Sequence, residues 1–504
     1  MARYVCVLAL IVGLAVVAGA NENGVPTKSK ATFYKDVLPI LQENCQNCHR
    51  EGGANYGGMV APFALTTYES ARPWAKSIEK VISEGYMPPW HATKELHGVF
   101  SNERSITDDQ RSTLISWVRT GASAGDPKDA PAPKEWAATE GWSIGTPDLV
   151  VSFPEPHFVA DDVEDTYEYI TSTITEEMLP EPRWMKAIEF RPGSKAVHHI
   201  IALPLGGIAP GNDPTVYPDG MGVLMRPGTE VTWQMHYHKE PGPGTGVWDQ
   251  SSAGIKFYPK DADIKKIIHN ESLGNFEFKI PAGDPNYSVQ TAFTFDEDSR
   301  IISMLPHMHV RGKAAKYEAF FPDGTSKVLL DVPKYDFNWQ TTYRFKDFAE
   351  VPKGTKLVLT TAWDNSANNP SNPDPTQDVY FGEPTTAEMS FGFMNYISST
   401  ERDDVAAFLA NGGNGRGQFG GGRGGRGGQR GFDLENVIAQ FDKNKDSKLQ
   451  SDEAPQFLQR FFNIIDGDHD GALTETELKE AAKRFGDRAQ QGRERRQGNA
   501  PSTD

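Results

Sequence analysis

Histidines with metal-ligand spacing occur in three short stretches of this 504-residue chain. They are the adjacent pair His198 and His199 in VHHI, His236 and His238 in QMHYH, and His307 and His309 in HMHV. Alternate residues of a β-strand share a face, so His307 and His309 can reach one metal ion. The adjacent pair needs a strand end, a twist or a bulge to do the same. A single histidine is usually a core or surface residue, but this clustering predicts metal binding.

Copper is the metal that these histidines favour. Imidazoles combined with a thioether suit copper that cycles between Cu(I) and Cu(II), whereas zinc usually brings a cysteine or a carboxylate. A blue-copper site needs a thiolate. The chain has three cysteines; Cys6 lies in the N-terminal apolar run, and Cys45 and Cys48 belong to another motif. We therefore expect two copper ions without a thiolate ligand.

The other motif is CQNCH, which contains Cys45, Cys48 and His49. In C-x-x-C-H, two thiols attach haem covalently and the histidine reaches its iron. A thioredoxin-like dithiol is the alternative, but the surroundings predict helix rather than βαβ, and the histidine would be unexplained. A soft second axial ligand suits electron transfer, and Met87 in a stiff Pro-Pro loop is the predicted one. His91 and His97 are the alternatives.

Two acidic stretches near the C-terminus, DKNKDSKLQSDE and DGDHDGALTETE, have the ligand spacing of calcium-binding EF-hand loops. The predicted ligands are Asp442, Asn444, Asp446, Lys448 and Glu453 in the first loop, and Asp466, Asp468, Asp470, Ala472 and Glu477 in the second. Ser447 stands where the sharp turn prefers glycine, and Gly471 occupies that position in the second loop. An acidic helical tail without calcium is the alternative. A compact structural pair is expected rather than a sensor.

The hydrophobic pattern predicts the elements that position these motifs. Apolar residues at helical spacing, Phe33, Val37, Leu38 and Leu41 and then Trp74, Ile78 and Ile82, predict a small all-α domain over residues 31–128. A capping box of Thr107 and Gln110 starts its last helix. Short β-branched and aromatic runs between Gly, Pro, Asn and Asp turns predict two β-sandwiches, at 145–275 and 276–408.

The termini and the charge constrain location and partners. Residues 1–20 have the layout of a cleaved signal peptide, which predicts an exported, periplasmic or extracellular protein with no transmembrane segment after removal. A membrane anchor is the alternative. The net charge of −17 argues against a nucleic-acid partner. Residues 411–432, rich in glycine and arginine, are predicted to be a linker rather than an RNA-binding tail, and residues 433–485 hold the EF-hand pair.

The motifs together resemble known families. Residues 31–128 resemble a class I cytochrome c. The later β-rich stretch is similar to the copper type II, ascorbate-dependent monooxygenases, the family of peptidylglycine α-hydroxylating monooxygenase and dopamine β-monooxygenase. The resemblance implies that His198, His199 and His236 hold a copper that stores and passes an electron. It also implies that His307, His309 and Met389, in AEMSF, hold the oxygen-binding copper.

The resemblance implies a multidomain fold: an all-α cytochrome c domain, two all-β jelly-roll sandwiches facing each other across a solvent cleft, and a small α EF-hand module. The implied reaction inserts one oxygen atom of O₂ into a C–H bond of a small organic substrate. Electrons would come from the haem, an ascorbate-like reductant or a redox protein. Two alternatives stay open: a non-catalytic haem and copper electron-transfer protein, and a calcium-stabilised surface binding protein.

The chain departs from that family in two ways. Its cysteine content allows no disulfides to staple the sandwiches. The arginine and tyrosine that clamp a substrate carboxylate in peptide-amidating members are replaced by Leu305 and Phe393. A buried carboxylate would lack its partners there, so we predict no peptide amidation.

Overall fold

The computed structural model describes residues 30–54, 59–136, 141–382, 384–399, 438, 444, 446–450 and 470–478. The described residues up to 399 belong to one compact unit, and those from 438 onward belong to a second. The predicted signal peptide, the predicted linker and the predicted calcium ligands Asp442, Glu453, Asp466 and Asp468 lie outside these ranges. Within the ranges, no helix has the length and apolar character needed to cross a membrane.

Helices occupy the first part of the chain. The α-helices are α1 (Leu38–Asn44), α2 (Tyr68–Ala71), α3 (Ala75–Glu84) and α4 (Asp108–Arg119). Shorter helical turns are the π-turn Phe33–Val37 and the 3₁₀ turns Arg72–Trp74, Lys94–Leu96 and Pro127–Asp129. The capping box is confirmed, because the Thr107 hydroxyl accepts from the Gln110 N–H and the Gln110 side chain accepts from the Thr107 N–H.

One apolar cluster holds these helices together. Phe33, Leu41, Ile78, Leu114 and Trp117 are all buried in it. The predicted apolar face is therefore confirmed except at Trp74. That side chain is 41% exposed and stacks on Phe63 with the ring centroids 4.1 Å apart. Trp74 has the spacing of the apolar face, but it packs on Phe63 near the surface instead of in the core.

Strands make up most of the remaining described chain. The first twelve are β1 (Leu149–Ser152), β2 (His157–Val159), β3 (Asp165–Ile174), β4 (Arg183–Arg191), β5 (Val197–Leu203), β6 (Gly206–Ile208), β7 (Thr215–Val216), β8 (Met221–Met225), β9 (Thr229–His238), β10 (Val247–Asp249), β11 (Ser252–Phe257) and β12 (Lys266–Ile267). The next ten are β13 (His269–Asn275), β14 (Lys279–Ile280), β15 (Tyr287–Thr294), β16 (Ser299–His307), β17 (Gly312–Phe320), β18 (Ser326–Val332), β19 (Tyr343–Val351), β20 (Lys356–Trp363), β21 (Val379–Tyr380) and β22 (Ser390–Ser398). The last two are β23 (Leu449–Gln450) and β24 (Ala472–Leu473).

Four sheets carry the architecture, with the strand orders β1-β11-β4-β8-β12, β3-β9-β5-β6, β13-β22-β16-β19 and β15-β20-β17-β18; β7 adds to β4. Three two-stranded sheets pair β2 with β10, β14 with β21, and β23 with β24. The first two sheets share a core that includes Ile188, Ile255 and Trp233. The other two share a core that includes Met304, Tyr317 and Leu359. Each core is thus closed by side chains from two sheets.

The predicted fold class is wrong. The structure is mainly β, with 38% strand and 14% helix, and it has a propeller-like arrangement of small sheets rather than an all-α cytochrome c domain joined to two jelly rolls. The helical stretch does not stand alone, because Phe100 is buried in the same core as Tyr343 and Phe345. The alternation of apolar and polar residues along a strand depends on which face is buried and carries no information on strand order. The pattern therefore predicted the presence of strands correctly and their arrangement into sheets incorrectly.

The described residues of the second unit form a short antiparallel pair of strands. Leu449 lies opposite Leu473, and both are buried. Ser447 and Gly471 both have positive φ, 66° and 83°. These are the loop positions where a calcium-binding turn favours glycine, and Ser447 adopts that conformation despite its side chain.

Candidate metal centre

Strands β5 and β9 bring the first three histidines together. The strands are antiparallel with His199 opposite His236, and their register shifts between Val197 and His199. This irregularity is the bulge that the adjacent pair requires, because it lets His198 turn toward the face that His199 uses. The ligand nitrogens of His198, His199 and His236 all lie within 4.8 Å of one another. The structure therefore assembles the first predicted ligand set.

Partners behind this group orient its rings. His236 Nδ1 lies 3.2 Å from His199 Nδ1, and His236 Nε2 lies 3.1 Å from Asp165 Oδ2. Tyr167 stacks on the His236 ring at 4.3 Å with the planes 5° apart. Burial alone would raise the pKa of Asp165, but hydrogen bonds from His236 and Thr385 hold that pKa below its ordinary value. An ionised carboxylate behind a histidine is the usual outer partner of a metal ligand.

His307 and His309 form the second group at the end of β16. Their ring centroids are 5.4 Å apart and their planes are nearly perpendicular, at 88°. His307 Nδ1 lies 2.6 Å from Gln340 Oε1, and His309 Nδ1 lies 3.2 Å from the Ala387 carbonyl. Because both partners are acceptors, each Nδ1 carries the hydrogen and each Nε2 keeps its lone pair. His309 Nε2 is buried without a hydrogen-bond partner, as expected of a metal-ligating atom.

Glu388 fixes the backbone of this second group. Its fully buried carboxylate accepts the N–H of His309 (2.8 Å) and of Arg311 (2.7 Å). It also accepts the indole N–H of Trp363 at 2.9 Å. Burial raises the pKa of Glu388 to about 7, and the hydrogen bonds from Arg311 and His309 oppose that rise. Met389 follows directly and is half-buried, so the predicted thioether ligand is carried by the residue next to this anchor.

The two groups meet. The ring centroids of His199 and His307 are 6.4 Å apart. Phe337 stacks on His198 at 5.0 Å and lies 6.0 Å from the His309 ring. The resemblance implied separate coppers on either side of a solvent cleft. The cleft prediction is wrong at these rings, since aromatic and imidazole side chains from both groups are in contact.

Burial keeps His198, His199, His307 and His309 neutral. It lowers the pKa of His198 to about 3 and holds the pKa of His199 and His309 well below the ordinary value. The neighbouring imidazoles add to the effect. The pKa of His307 is also lowered by burial, although the Gln340 hydrogen bond opposes the shift. Since a metal binds the neutral imidazole, protons compete weakly for this site.

The residues of the C-x-x-C-H motif fit a covalently attached haem. Cys45 and Cys48 are both half-buried free thiols. His49 Nδ1 lies 3.1 Å from the Phe63 carbonyl, so its Nε2 lone pair remains for an iron. Burial raises the pKa of the Cys45 thiol to about 12 and lowers the pKa of His49. The histidine is therefore in its neutral, ligating form.

The candidates for a second axial ligand lie in different places. Met87 is half-buried, and its N–H donates to the Val81 carbonyl at the end of α3. His91 has a buried Nδ1 without a described partner, and burial lowers its pKa against the opposing charge of Asp336, with the charge of Lys334 adding to the lowering. His97 is exposed. His91 is thus turned toward the sheet region, which leaves Met87 as the better candidate for the haem.

The described calcium-loop residues have the expected turn geometry. The Lys448 N–H donates to Asp446 Oδ1 and the Ala472 N–H donates to Asp470 Oδ1, both at 2.9 Å. Glu477 accepts from the Thr474 N–H, and Lys448 Nζ pairs with Asp470 Oδ2 at 2.7 Å. Asn444 hydrogen-bonds within its own loop. Position seven ligates through its carbonyl, so Lys448 and Ala472 need no ligating side chain. The Lys448 ammonium instead occupies a carboxylate oxygen of the predicted ligand Asp470.

Sequence reasoning missed the outer partners of the histidines: Asp165, Tyr167, Phe337, Gln340 and Glu388. Glu388 had a signal, because it precedes the predicted ligand Met389. Phe337 and Gln340 lie in the turn YDFNWQTTY, which has no pattern that points to a metal. Their role depends on a loop crossing over both histidine groups, and strand periodicity does not predict such a crossing.

Comparisons with known proteins do not support the family resemblance. No family model matches this chain, and no curated protein matches it. Among solved structures, it is similar to the VP2 subviral particle of infectious bursal disease virus, at 10% identity over 50% of this chain and 72% of that chain, with a TM-score of 0.18. Particles derived from a mutant VP2 of the same virus give 10% identity, 53% and 79% coverage, and a TM-score of 0.12. Scores this low carry no argument. The predicted membership in a cytochrome c and copper monooxygenase family is wrong because the described chain is mainly β with a propeller-like arrangement of sheets and no family model matches it.

Proposed function

We propose that this chain is an exported, copper-dependent monooxygenase that hydroxylates a C–H bond of an uncharged organic substrate with O₂. The observation that carries the proposal is the convergence of five imidazoles from two groups, with His199 and His307 in contact. Hydroxylation by O₂ needs two electrons beyond those of the C–H bond, and two adjacent one-electron metals can supply them. The proposal rests on site chemistry and not on a family.

The donor set fits copper. His198, His199 and His236 would hold one ion, and His307, His309 and Met389 would hold the other. The sets contain neutral nitrogens and a thioether without thiolate, which favours copper over zinc. Copper there would supply one-electron redox chemistry and O₂ binding. The protein orients the rings through Asp165, Gln340 and Glu388, and burial keeps His198, His199, His307 and His309 neutral.

An uncharged sheet face beside His307 supports the substrate class. In the central strand β22, Phe391 lies between Gly274 of β13 and His307 of β16, and Phe393 lies between Ser272 and Leu305. The Phe391 and Phe393 rings are 5.8 Å apart at 14°, and Phe393 lies 6.5 Å from the His307 ring. This face offers apolar contact and no charge to pair a carboxylate, so it suits an apolar substrate and disfavours a peptide carboxylate.

The haem motif supports a role in supplying or relaying electrons. Cys45, Cys48, His49 and Met87 would hold the haem. Burial would keep His49 neutral against the opposing effect of the hydrogen bond to the Phe63 carbonyl, which fixes the hydrogen on Nδ1. An ascorbate-like reductant or a redox protein would deliver electrons to the chain. Calcium in the C-terminal loops would have a structural role.

The test is turnover with isotopically labelled oxygen. Protein loaded with copper and haem is supplied with ascorbate, ¹⁸O₂ and a panel of uncharged aromatic and aliphatic compounds, and the products are analysed by mass. We expect incorporation of one labelled atom into a product, lost in His307→Ala and kept in His238→Ala. A glycine-extended peptide is tested alongside the panel. If the protein binds copper but incorporates no labelled oxygen into the peptide or into any compound of the panel, the result contradicts a monooxygenase.

A second function is favoured by one observation. His199, His236 and His309 are only 6%, 1% and 1% exposed, which leaves little access for O₂. A copper-holding electron-transfer protein would need no such access. Reduced protein exposed to O₂ discriminates between the two: rapid copper reoxidation supports the monooxygenase, and copper that stays reduced supports the electron carrier.

A further inference from the structure

Met308, the residue between the two histidines of the second group, lies just past the last ladder pairs of β16. The last pair with β22 joins His307 to Phe391, and the pairing with β19 stops earlier, at Met304. Met308 is fully buried, so its backbone N–H and carbonyl need hydrogen-bond partners other than a neighbouring strand. The partner that they find decides how the chain runs between the two imidazoles.

The Tyr335 hydroxyl binds both backbone groups of Met308. It accepts the Met308 N–H at 3.2 Å and donates to the Met308 carbonyl at 2.8 Å. One hydroxyl has a hydrogen to donate and lone pairs to accept, so a single oxygen satisfies both groups. In a strand the N–H and the carbonyl of one residue point to the same side, as this pair of bonds requires. Tyr335 therefore replaces the neighbouring strand at Met308 and holds the chain extended there.

This extended course places both imidazoles on one side of the chain. Alternate residues of an extended segment share a face, so the conformation of Met308 decides whether His307 and His309 point the same way. The chain turns directly afterwards, since the Gly312 N–H donates to the His309 carbonyl at 2.9 Å. The alternation is thus kept for one residue beyond the ladder, and Tyr335 is the side chain that keeps it.

The Tyr335 ring is itself held in one position. The Tyr335 N–H donates to the Lys313 carbonyl at 2.9 Å, and the ring packs against the buried cluster that contains Met308 and Trp363. A β-carbon at Gly312 would lie 2.7 Å from the Tyr335 ring and 2.8 Å from the Met308 β-carbon. Position 312 therefore has room for glycine alone while the ring stays where it is.

We propose that Tyr335 is a positioning residue of the second histidine group, whose hydroxyl fixes the peptide groups of Met308 so that His307 and His309 point at the same metal ion. This inference rests on the metal-binding role proposed above for these two histidines. Tyr335 complements Glu388, which binds the His309 N–H. Glu388 holds the chain at the second ligand, and Tyr335 holds the residue between the ligands.

Two variants test this role from different sides. Tyr335→Phe removes the hydroxyl and keeps the ring, so the Met308 N–H and carbonyl lose the partner that they share. Gly312→Ala keeps the hydroxyl and displaces the ring, because the added methyl group meets it. Both should disturb the same two bonds, and neither changes a residue of the predicted ligand set.

Tyr317→Phe is the matched control. The Tyr317 hydroxyl also binds the backbone of β16, donating to the Leu305 carbonyl at 3.0 Å. Leu305 lies within the ladder, opposite Phe393 of β22, so the neighbouring strand holds its backbone when the hydroxyl is removed. The control therefore loses a tyrosine hydrogen bond to the same strand without freeing the residue between the ligands.

The first measurement is copper affinity, by titration of the full chain with Cu(I) under a competing chelator. We expect the ion that is lost in His307→Ala to bind about 10–100-fold more weakly in Tyr335→Phe and in Gly312→Ala, the range for loss of a group that orients a ligand. The other ion should bind as in the parent. Tyr317→Phe should lower the unfolding temperature and leave both affinities unchanged.

The second measurement uses the copper-free protein. In chain labelled with ¹⁵N at histidine, the ring signals of His307 and His309 are assigned from their glutamine variants. The parent should show both rings with the hydrogen on Nδ1, because Gln340 and the Ala387 carbonyl accept it. Tyr335→Phe should show a mixture of the two tautomers for these rings, since rings that turn away lose their acceptors. Tyr317→Phe should match the parent.

The outcomes separate the positioning role from the metal site. Parental affinity and parental tautomers in Tyr335→Phe overturn the role of Tyr335 and leave the metal centre standing. An equal loss of affinity in Tyr317→Phe also overturns it, because general destabilisation would then explain both. A parent that binds no ion at His307 and His309 overturns the proposed function, and the copper-free spectra then decide the role of Tyr335 alone. If Tyr335→Phe does not fold, the same two measurements on Gly312→Ala decide.

Discussion

The two histidine groups differ in what holds their rings. His199 and His236 contact each other through their Nδ1 atoms at 3.2 Å, so imidazoles of the first group satisfy one another. In the second group, His307 and His309 each bind an acceptor that is not a histidine. In the first group the imidazoles contact one another, and the outer carboxylate Asp165 supports one ring, that of His236. The second is defined by its outer partners, which keep the ligating nitrogens aimed whether or not metal is bound.

The groups also differ in how a carboxylate supports them. Asp165 receives a hydrogen bond from a histidine side chain, whereas Glu388 receives hydrogen bonds from backbone N–H groups. Asp165 therefore acts on the imidazole of a ligand directly. Glu388 acts on the backbone that carries the ligands His307 and His309. Loss of each should leave a different signature in metal binding and in stability.

The largest expected effect is acid destabilisation of the copper-free protein. Burial places the folded-state pKa of His198, His199, His307 and His309 below the ordinary value. Below about pH 6.5 the unfolded chain binds protons that the folded chain does not, so stability falls as pH falls. Each such histidine contributes up to about 1.4 kcal/mol per pH unit. For His198 this window closes near its folded-state value of about 3.

Urea unfolding of the copper-free protein between pH 7 and pH 5 measures this slope. Replacing His307 and His309 by glutamine should reduce the slope, and so should replacing His198 and His199. An equal slope in parent and variants would mean that these rings titrate normally in the folded protein. A smaller reduction for one group would show which group opens first.

Removal of a ligand from one group should cost one copper ion. We expect His199→Ala to lose the ion of the first group and keep that of the second, and His307→Ala or Met389→Ala to do the reverse. The affinity loss should exceed the roughly 10–100-fold that loss of an outer partner costs. Metal analysis and paramagnetic spectra measure it. Two ions retained at parental affinity in His307→Ala and Met389→Ala would remove those residues from the ligand set.

Glu388→Gln should weaken the second group alone. The amide nitrogen would face buried N–H donors, and each unsatisfied donor costs about 1–3 kcal/mol. We expect copper affinity at His307 and His309 to fall about 10–100-fold, with a lower unfolding temperature. Glu189→Gln is the control, because Glu189 is also buried and accepts N–H groups, from Ser143 and Ile144. It should lower stability without changing copper affinity.

Asp165→Asn should weaken the first group with little loss of stability. The amide keeps the shape but not the charge that supports His236, so copper affinity there should fall by about 10-fold, at the lower end of the range for outer partners. Asp161→Asn is the control, since among the described contacts that exposed carboxylate binds the N–H groups of Gly244 and Gly246, and Lys239 carries the nearby charge. An equal effect of both substitutions on copper would indicate a general charge effect.

Sequence could predict the ligands because ligation depends on residue type and local spacing. The H-x-H pair and the bulge at His198 both follow from strand geometry, and each histidine group lies together within itself as its spacing predicts. Metal ligation by these residues stays a prediction, and the contact between the two groups was not predicted. The haem motif is equally local, since Cys45, Cys48 and His49 occupy one turn. None of these inferences required knowledge of which strands are neighbours.

The parts that failed depend on contacts between distant segments. The period-2 pattern predicted strands over most of the sheet region, but it could not give the strand order, and the predicted jelly rolls were wrong. Trp90 and Phe100 looked like parts of an independent helical domain, yet they are buried against Tyr343 and Phe345. Gln340 and Phe337 owe their positions to a loop that crosses both histidine groups. Burial of a side chain against a segment that is distant in the sequence leaves no pattern in the residues around it.

The smallest expected effect concerns His238, which shares a strand with His236. Its side chain is 55% exposed and lies 3.5 Å from Asp165 Oδ2, while the His236 side chain is 1% exposed and lies 3.1 Å from the same oxygen. Exposed ion pairs contribute about 0–1 kcal/mol. We therefore expect His238→Ala to change copper affinity at the first group by less than about fivefold, whereas His236→Ala should abolish that ion. Isothermal titration of both variants with Cu(I) under a competing chelator compares them. If His238→Ala loses as much copper affinity as His236→Ala, His238 is a fourth ligand of the first group. The first group would then no longer differ from the second in having rings that mainly contact one another.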